Sequence, residues 1–397
     1  MWSNTVVAPA AEIRWVAQSP EGEVVSLESA TNSPVSGASR EQGPTPSKNS
    51  GSGRRVWLAV HAWYHPASDN DSYRRSVADS LASVGVPFEI LRGRPIPSGP
   101  VSQSILPLIL RGSMTYGIPD GLVHDLYGDS VFRDVGVSSI QDLYWNSRQD
   151  GLRSRSLQLA ILSFQAYRRT LIRSKRVIAT TPFMRDELLK AYGSQFKDKI
   201  RIVPIACEAG IGPGVRPAVY DVLWIGSTLR RKAPTEFLRA VGILPKEFRI
   251  ALRLRRASEQ LSESADAIAE LVDRYRQEGR RIDVWSEEMP RPAIEELYRS
   301  SKCLVSTSTY EGFHMPVAEA YLRGLNVVLR DAAYYRSMYD GVGAGIHWYS
   351  DSRDLPTAIA EAVRNGPFHI DQALRDRLSF RGVGRLLKGV YEEASPR

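Results

Sequence analysis

Two glutamates in the stretch STYEGFHMPVAEA, Glu311 and Glu319, stand eight positions apart with a Gly, a Phe, a His and a Pro between them. The preceding run, CLVSTS, reads as a strand, so Ser308 to Phe313 fall at its carboxyl end. Pro316 suits the first helical position, where a missing N–H costs nothing. The helix then runs through PVAEAYLRG and stops at Gly324. This puts Glu311 on a loop and Glu319 one turn into a helix. Gly312 lets the backbone come close to a ligand. A helix start offers free N–H groups and partial positive charge, which suit phosphate. A carboxylate accepts hydrogen bonds from hydroxyls. Hydroxyl acceptors beside a phosphate site describe a ligand that carries both groups, a sugar nucleotide. Each glutamate alone has a plainer explanation: Glu319 as an acid stabilising a helix start, Glu311 as a solvated loop charge. Together with Gly312, Pro316 and the strand before them, they favour a binding site.

The surrounding sequence supplies the elements to position such a site. Folded sequence begins at RRVWLAV, a strand-length apolar run, followed by a helical pattern in YRRSVADSLASVG and a second strand in PFEIL. Strand, helix, strand is the signature of a parallel sheet. DGLVHDL and GVSSIQDLYW read as further strands. Arg153–Arg176 reads as an amphipathic helix with Leu157, Ile161 and Phe164 on one stripe. RVIATT, PFMRDELLKAYG and KIRIVPI continue as strand, helix, strand. ACEAGIGPGVRP, residues 206–217, is rich in Gly and Pro and reads as an interdomain linker. The alternation then restarts. YDVLWIGS, FRIALRLR, RIDVWS, CLVSTS, NVVLRD and IHWYS read as strands, with helices at APTEFLRAVGIL, DAIAELVDRYRQEG, PAIEELYRS and DLPTAIAEAVRNG. The expected fold is therefore α/β, with two doubly wound parallel-sheet domains at 54–205 and 218–378 and a terminal segment at 379–397. Residues 1–53, with SATNSPVSGASREQGPTPSKNSGSG, carry too few large apolar side chains to offset their ordering entropy and read as disordered. In open parallel sheets ligands bind beyond the carboxyl ends of the strands, so the expected site is the cleft between the two sheets.

Composition bounds the function classes. The chain has 397 residues, 43% of them hydrophobic, enough for two cores. Lys plus Arg number 52 against 44 Asp plus Glu, a formal net charge of +8. That modest surplus fits an anionic ligand, an acidic polymer or a membrane surface without selecting one. No apolar run approaches the roughly 18 residues of a membrane span, and the N-terminus lacks the apolar core of a secretory signal. Cys207 and Cys303 are too few and too far apart for a disulfide framework or a metal cluster; they read as reduced thiols of a cytoplasmic protein. Asp69 and Asp71 imitate an Asp-x-Asp metal motif. A nucleic-acid binder ranks last, since neither an aromatic-rich basic module nor zinc spacing is present.

STYEGFHMPVAEAYLRGLNVVLRD resembles the donor-site motif of the retaining glycosyltransferases of family 4, whose GT-B architecture places the active site between two Rossmann-like domains. VLWIGSTLRRKAPTEFLRAV, PAIEELYRSSKCLVSTS, RVIATTPFMRDELLKAYG and LSFRGVGRLLKGVYEEA resemble further parts of the family, and the likeness covers most of residues 55–395. The resemblance implies that Glu319 holds the ribose hydroxyls of a nucleotide-diphosphate-sugar donor and Glu311 hydroxyls of the transferred sugar. Gly312, Phe313 and His314 would offer backbone amides, Gly226 and Ser227 would border the donor, and Lys232 with Arg231 would neutralise the diphosphate. His124, Gln141 and Tyr73 are the candidates on the acceptor side, although His124 reads equally as a structural histidine. A glycan or lipid-linked acceptor, no metal cofactor and a final helix that crosses back to the first domain are also implied. The basic residues of Arg153–Arg176 suit a peripheral contact with anionic lipid at the inner membrane face, though a helix packed on the sheet with a solvated basic edge accounts for them more simply. The chain departs from the family at Ser227, where an Arg is usual, at His314, where a Gly is usual, and at Gln141, where many relatives have His. HPASDNDSYRRS lacks the usual Gly-rich loop. These departures keep a nucleotide-sugar epimerase and a non-catalytic scaffold of the same fold in view.

Overall fold

The computed structural model describes residues 55–60, 72–92, 121–128, 134–143, 157–207, 218–257 and 262–395. The N-terminal segment, Asp69, Asp71, most of the linker stretch, and Arg153 and Arg155 lie outside these residues. The first half contains Val56–Val60 (β1), Ser72–Ser83 (α1), Phe88–Arg92 (β2), Leu122–Asp125 (β3), Val135–Ile140 (β4), Leu157–Arg173 (α2), Ser174–Ala179 (β5), Pro182–Tyr192 (α3) and Ile200–Ile202 (β6). The second contains Tyr220–Ser227 (β7), Pro234–Ile243 (α4), Arg249–Arg255 (β8), Ala265–Gln277 (α5), Arg281–Trp285 (β9), Arg291–Arg299 (α6), Ser301–Ser306 (β10), Met315–Leu322 (α7), Asn326–Arg330 (β11), Ala333–Tyr339 (α8), Ile346–Tyr349 (β12), Leu355–Arg364 (α9) and Gln372–Leu378 (α10). Phe380–Ala394 (α11) ends the described chain.

Among the described residues the strands form two sheets of six, ordered β2-β1-β3-β4-β5-β6 and β12-β11-β10-β7-β8-β9. Every strand pairing is parallel. Parallel strands need a covering layer on both faces, which explains the apolar runs that the sequence shows. In the second sheet, β8 and β9 are added on one side of β7, and the chain then returns to lay β10 on the other. The order reverses between β7 and β10, which is where an open α/β sheet leaves a crevice for ligands.

Helix α11 belongs to the core of the first half. Its Val383, Leu387, Val390 and Tyr391 are buried with Leu58 of β1 and Val77 and Leu81 of α1. A Cβ at Gly384 would strike the Ser80 carbonyl, so a glycine here permits the close crossing of α11 over α1.

The elements differ from the sequence expectation in two places. The helix expected over Arg153–Arg176 ends at Arg173, because Ser174 pairs with Val135 of β4 in strand register and buries its hydroxyl against that of Ser138 at 2.8 Å. Lys175 and Arg176 therefore sit on β5, and Arg176 pairs with Glu393 of α11 at 2.8 Å. Helices α8 and α10 carry no clear apolar period and were not expected.

Candidate functional site

Two segments converge at the reversal between β7 and β10. The first leaves β7 at Gly226 and Ser227, turns through a 3-10 segment at Arg230–Lys232, and enters α4. Gly226 is required by packing, since a Cβ there would run into the Trp224 ring. Ala233, directly after Lys232, has φ +49, the one positive value for a non-glycine residue among the described residues. Such strain persists where the surroundings impose it: Thr307 donates its hydroxyl to the carbonyls of both Lys232 (2.9 Å) and Ala233 (3.0 Å). The Arg231 carbonyl accepts from the Thr309 amide at 2.7 Å. The basic turn is thereby tied to the segment that leaves β10.

That second segment carries Glu311, which is 4% exposed. Its carboxylate receives Arg231 Nη1 at 2.8 Å and Lys232 Nζ at 2.5 Å. Burial alone would raise its pKa, but Lys232 and Arg231 hold it well below the usual carboxylate range. Burial lowers the pKa of Lys232, with Glu311 opposing. Glu319, on α7, is 5% exposed. One of its oxygens accepts from Arg291 Nη1 at 2.7 Å, the other from the Tyr298 hydroxyl at 2.9 Å. Each acid is thus held in a fixed orientation, and each has lone pairs left to accept further donors.

Two adjoining cavities open onto these groups. One, of about 310 Å3, is bordered by Gly226, Ser227, Lys232, Arg253, Arg291 and Glu319. The other, of about 260 Å3, is bordered by Gln141, Asp142, Arg231, Glu311, Phe313 and His314. Lys232, Met315 and Pro316 border both. Glu319 borders the first cavity and Glu311 the second.

The first half of the molecule closes over the Glu311 loop. The Gly312 carbonyl accepts from the hydroxyls of Thr180 (3.3 Å) and Thr181 (3.1 Å). Gly312 also lies directly against the Gln141 carbonyl, where any Cβ would clash with backbone. Asp142 approaches Arg231 Nη2 at 3.8 Å. Burial pushes the Asp142 carboxyl up to about 6, with Arg231 opposing and Glu311 reinforcing the rise.

Of the residues singled out in the sequence, Glu311, Lys232, Arg231, Glu319, Gly312, Phe313, His314, Gly226, Ser227 and Gln141 come together around these cavities. His124 and Tyr73 do not. His124 is fully buried, with Nδ1 2.8 Å from the Tyr391 hydroxyl and Nε2 2.8 Å from Ser139 Oγ. Tyr73 donates its hydroxyl to the same Ser139 Oγ at 2.6 Å. Both belong to a polar knot beneath α11, and their assignment to the acceptor side is corrected accordingly: a satisfied, sealed side chain has nothing left to offer a ligand. The sequence reading missed Asp142, Arg291, Tyr298 and Arg253. Arg253 had a visible signal, a charge amid the apolar positions of β8; it is 7% exposed, and burial next to Arg255 lowers its pKa. Among the described residues no three His, Cys, Asp or Glu side chains gather as a metal site, and no helix is long and apolar enough to cross a membrane.

The fold and this crevice define a class. Over 86% of its length the chain superposes on 96% of a sucrose-phosphate synthase from Thermosynechococcus elongatus, with a TM-score of 0.59 at 18% identity. HepE of Anabaena, solved with UDP and glucose, gives 0.58 at 13% identity over 85% of this chain and 98% of that one. The architecture is GT-B, two Rossmann-like domains. Residues 220–365, from the first residue of β7 to just past α9, match the family described as glycosyl transferases group 1. The chain is 27% identical over 239 residues to the O-antigen chain mannosyltransferase B of Escherichia coli, covering 56% of this chain and 58% of that protein. It is 27% identical over 180 residues to the D-inositol 3-phosphate glycosyltransferase of Paenarthrobacter aurescens, covering 42% and 43%. The matched segments thus span about half the length of these two relatives.

Proposed function

We propose that the protein is a retaining glycosyltransferase that moves a sugar from a nucleotide-diphosphate donor to a glycan, lipid-linked or small-molecule acceptor, in the making of a cell-surface polysaccharide or glycoconjugate. The observation that carries this reading is the placement of Glu319 and Glu311 in two cavities that Lys232 borders in common. The likeness to glycosyltransferase relatives and the UDP and glucose held by the Anabaena neighbour support it. In this reading Glu319 accepts from the ribose hydroxyls, Glu311 from the sugar, and Lys232 with Arg231 takes the diphosphate between them.

The ion pairs set the order of events. Glu311 holds Lys232 and Arg231 in place before the donor arrives. An entering diphosphate competes for both cations, and lone pairs released on Glu311 turn to the sugar hydroxyls. As the bond from the anomeric carbon to the phosphate oxygen breaks, negative charge grows on the leaving diphosphate, and fixed cations in a narrow site stabilise that charge best. The departing phosphate takes the acceptor's proton on the same face, and the protein contributes position and charge. Asp142, across the cavity from Glu311, is suited to accept from an acceptor hydroxyl. No metal is needed in this scheme, because the cations do the neutralising.

The experiment is a donor-hydrolysis and transfer assay on Lys232→Ala. Turnover should fall about 10²–10³-fold, the cost of removing one fixed charge-stabilising donor. Unchanged turnover would refute the assignment. An epimerase would convert the sugar without an acceptor, a scaffold would bind nucleotide without turnover, and the same assay distinguishes both.

A further inference from the structure

His314 stands at the head of α7, beside Glu311 in the second cavity, and is 7% exposed. Its backbone, at φ −101, has no need of a glycine. Its Nδ1 faces two hydroxyls, Tyr335 at 2.8 Å and Ser306 at 3.1 Å, which lie 2.5 Å from each other. Its Nε2, on the other edge of the ring, is sealed from solvent and has no hydrogen-bond partner.

One arrangement of protons closes the triangle. If Nδ1 accepts from Tyr335, and Ser306 donates to the Tyr335 oxygen, every proton in the triangle is used. Nε2 then carries the hydrogen. Burial holds the ring's pKa down to about 3, with Lys232 adding to the effect, so the imidazole is neutral at physiological pH. The result is a fixed N–H donor without an acceptor, next to a carboxylate that accepts only. A sugar hydroxyl satisfies both at once, since its oxygen accepts from Nε2 and its hydrogen is donated to Glu311.

We propose that His314 donates its Nε2–H to one hydroxyl of the transferred sugar, holds that hydroxyl jointly with Glu311, and so selects among donors by the sugar they carry. This rests on the glycosyltransferase reading and adds to it a side chain that reads the sugar. A site built around a hydroxyl discriminates against ligands that fail to present one there, because its own buried donor is left unpaired.

The test is calorimetric titration of the full chain with UDP and GDP, and with their glucose, galactose, mannose and N-acetylglucosamine conjugates. The quantity read is the affinity that the sugar adds over its own free nucleotide. His314→Phe should cut that increment for the preferred sugar about 10–100-fold and flatten the ranking of sugars, a larger effect than any on the affinity for free nucleotide. His314→Gln, which keeps an N–H donor, should recover part of the increment, a rescue that a merely structural role does not give. Where the Phe variant does not fold, His314→Gly should show the same loss. A Phe or Gly variant that keeps the wild-type increment and ranking overturns the inference alone. A wild-type chain that gains nothing from any sugar also counts against it. A wild-type chain that binds no nucleotide overturns the underlying reading as well.

Discussion

Two buried histidines, one in each half of the molecule, are treated differently by their surroundings. His124 has a partner on each nitrogen, Tyr391 on one and Ser139 on the other. His314 has hydroxyls on one nitrogen and nothing on the other. The first is architecture: it joins β3, β4 and the returning α11 in a closed network. The second leaves a hydrogen bond unmet next to a carboxylate and two cations. Buried polar groups are nearly always paired, and the unpaired Nε2 beside Glu311 is what motivates the proposal for His314.

The sharpest way to break this comparison is to remove the acid beside His314. Glu311→Ala should abolish transfer, and it should also destabilise the fold by about 3–5 kcal/mol, because Arg231 and Lys232 would remain buried without their counter-charge. Glu311→Gln separates the two effects: a thermal melt should show the smaller loss of stability while transfer stays severely impaired. A Gln variant of normal activity would move the chemistry away from the Glu311 cavity.

Acid should expose both histidines. Burial lowers His124 to about 4 and His314 to about 3, so between pH 6.5 and those values the unfolded chain binds more protons than the native one. Stability is therefore complete above pH 6.5 and is lost as pH falls. Asp142, raised to about 6, works the other way between about pH 4 and 6, since its native form holds the extra proton. His124 alone accounts for a loss on the order of 3 kcal/mol between pH 7 and pH 4. Urea unfolding at those two pH values checks this, and His124→Phe should flatten the dependence by about that amount.

At neutral pH, His124→Phe should cost about 2–3 kcal/mol, because it strips partners from Tyr391 and Ser139. His314→Phe should cost about 1 kcal/mol or less, because Ser306 and Tyr335 still bond each other. Equal costs would erase the distinction between the two histidines. Gly312→Ala should cost about 1–3 kcal/mol by thermal melt, as a methyl forced against the Gln141 carbonyl parts the two halves at the Thr180 and Thr181 contacts. Its activity should suffer more than its stability.

The sequence disclosed local matters well and distant ones poorly. β7 is the eight residues YDVLWIGS that the apolar run delimits, and Gly324, at φ +81, stops α7 as its position predicts. Helix α8 escaped notice because Tyr334, Tyr335 and Tyr339 pack around the Glu311 loop and the C-terminal part of the second half, so its order comes from tertiary contacts and not from an apolar stripe. Glu311 and Glu319 were visible through their spacing. Their partners were not, since Arg231 and Lys232 lie about 80 positions before Glu311 and Arg291 lies 28 before Glu319. His124 misled for the same reason: Tyr391, 267 positions away, satisfies it. Asp142 drew no notice beside Gln141, because only the folded chain brings it to Arg231.

The most direct measurement pairs Glu319 with the group it is expected to hold. UDP and GDP, each with its 2′,3′-dideoxy counterpart, are titrated into the wild-type chain and into Glu319→Gln. The wild type should prefer the ribonucleotide by about 10–100-fold, as the loss of paired hydroxyls predicts, and the Gln variant should lose most of that preference. A wild-type chain that binds ribo and dideoxy forms alike, or a preference that survives in Glu319→Gln, would contradict the placement of a nucleotide ribose at α7.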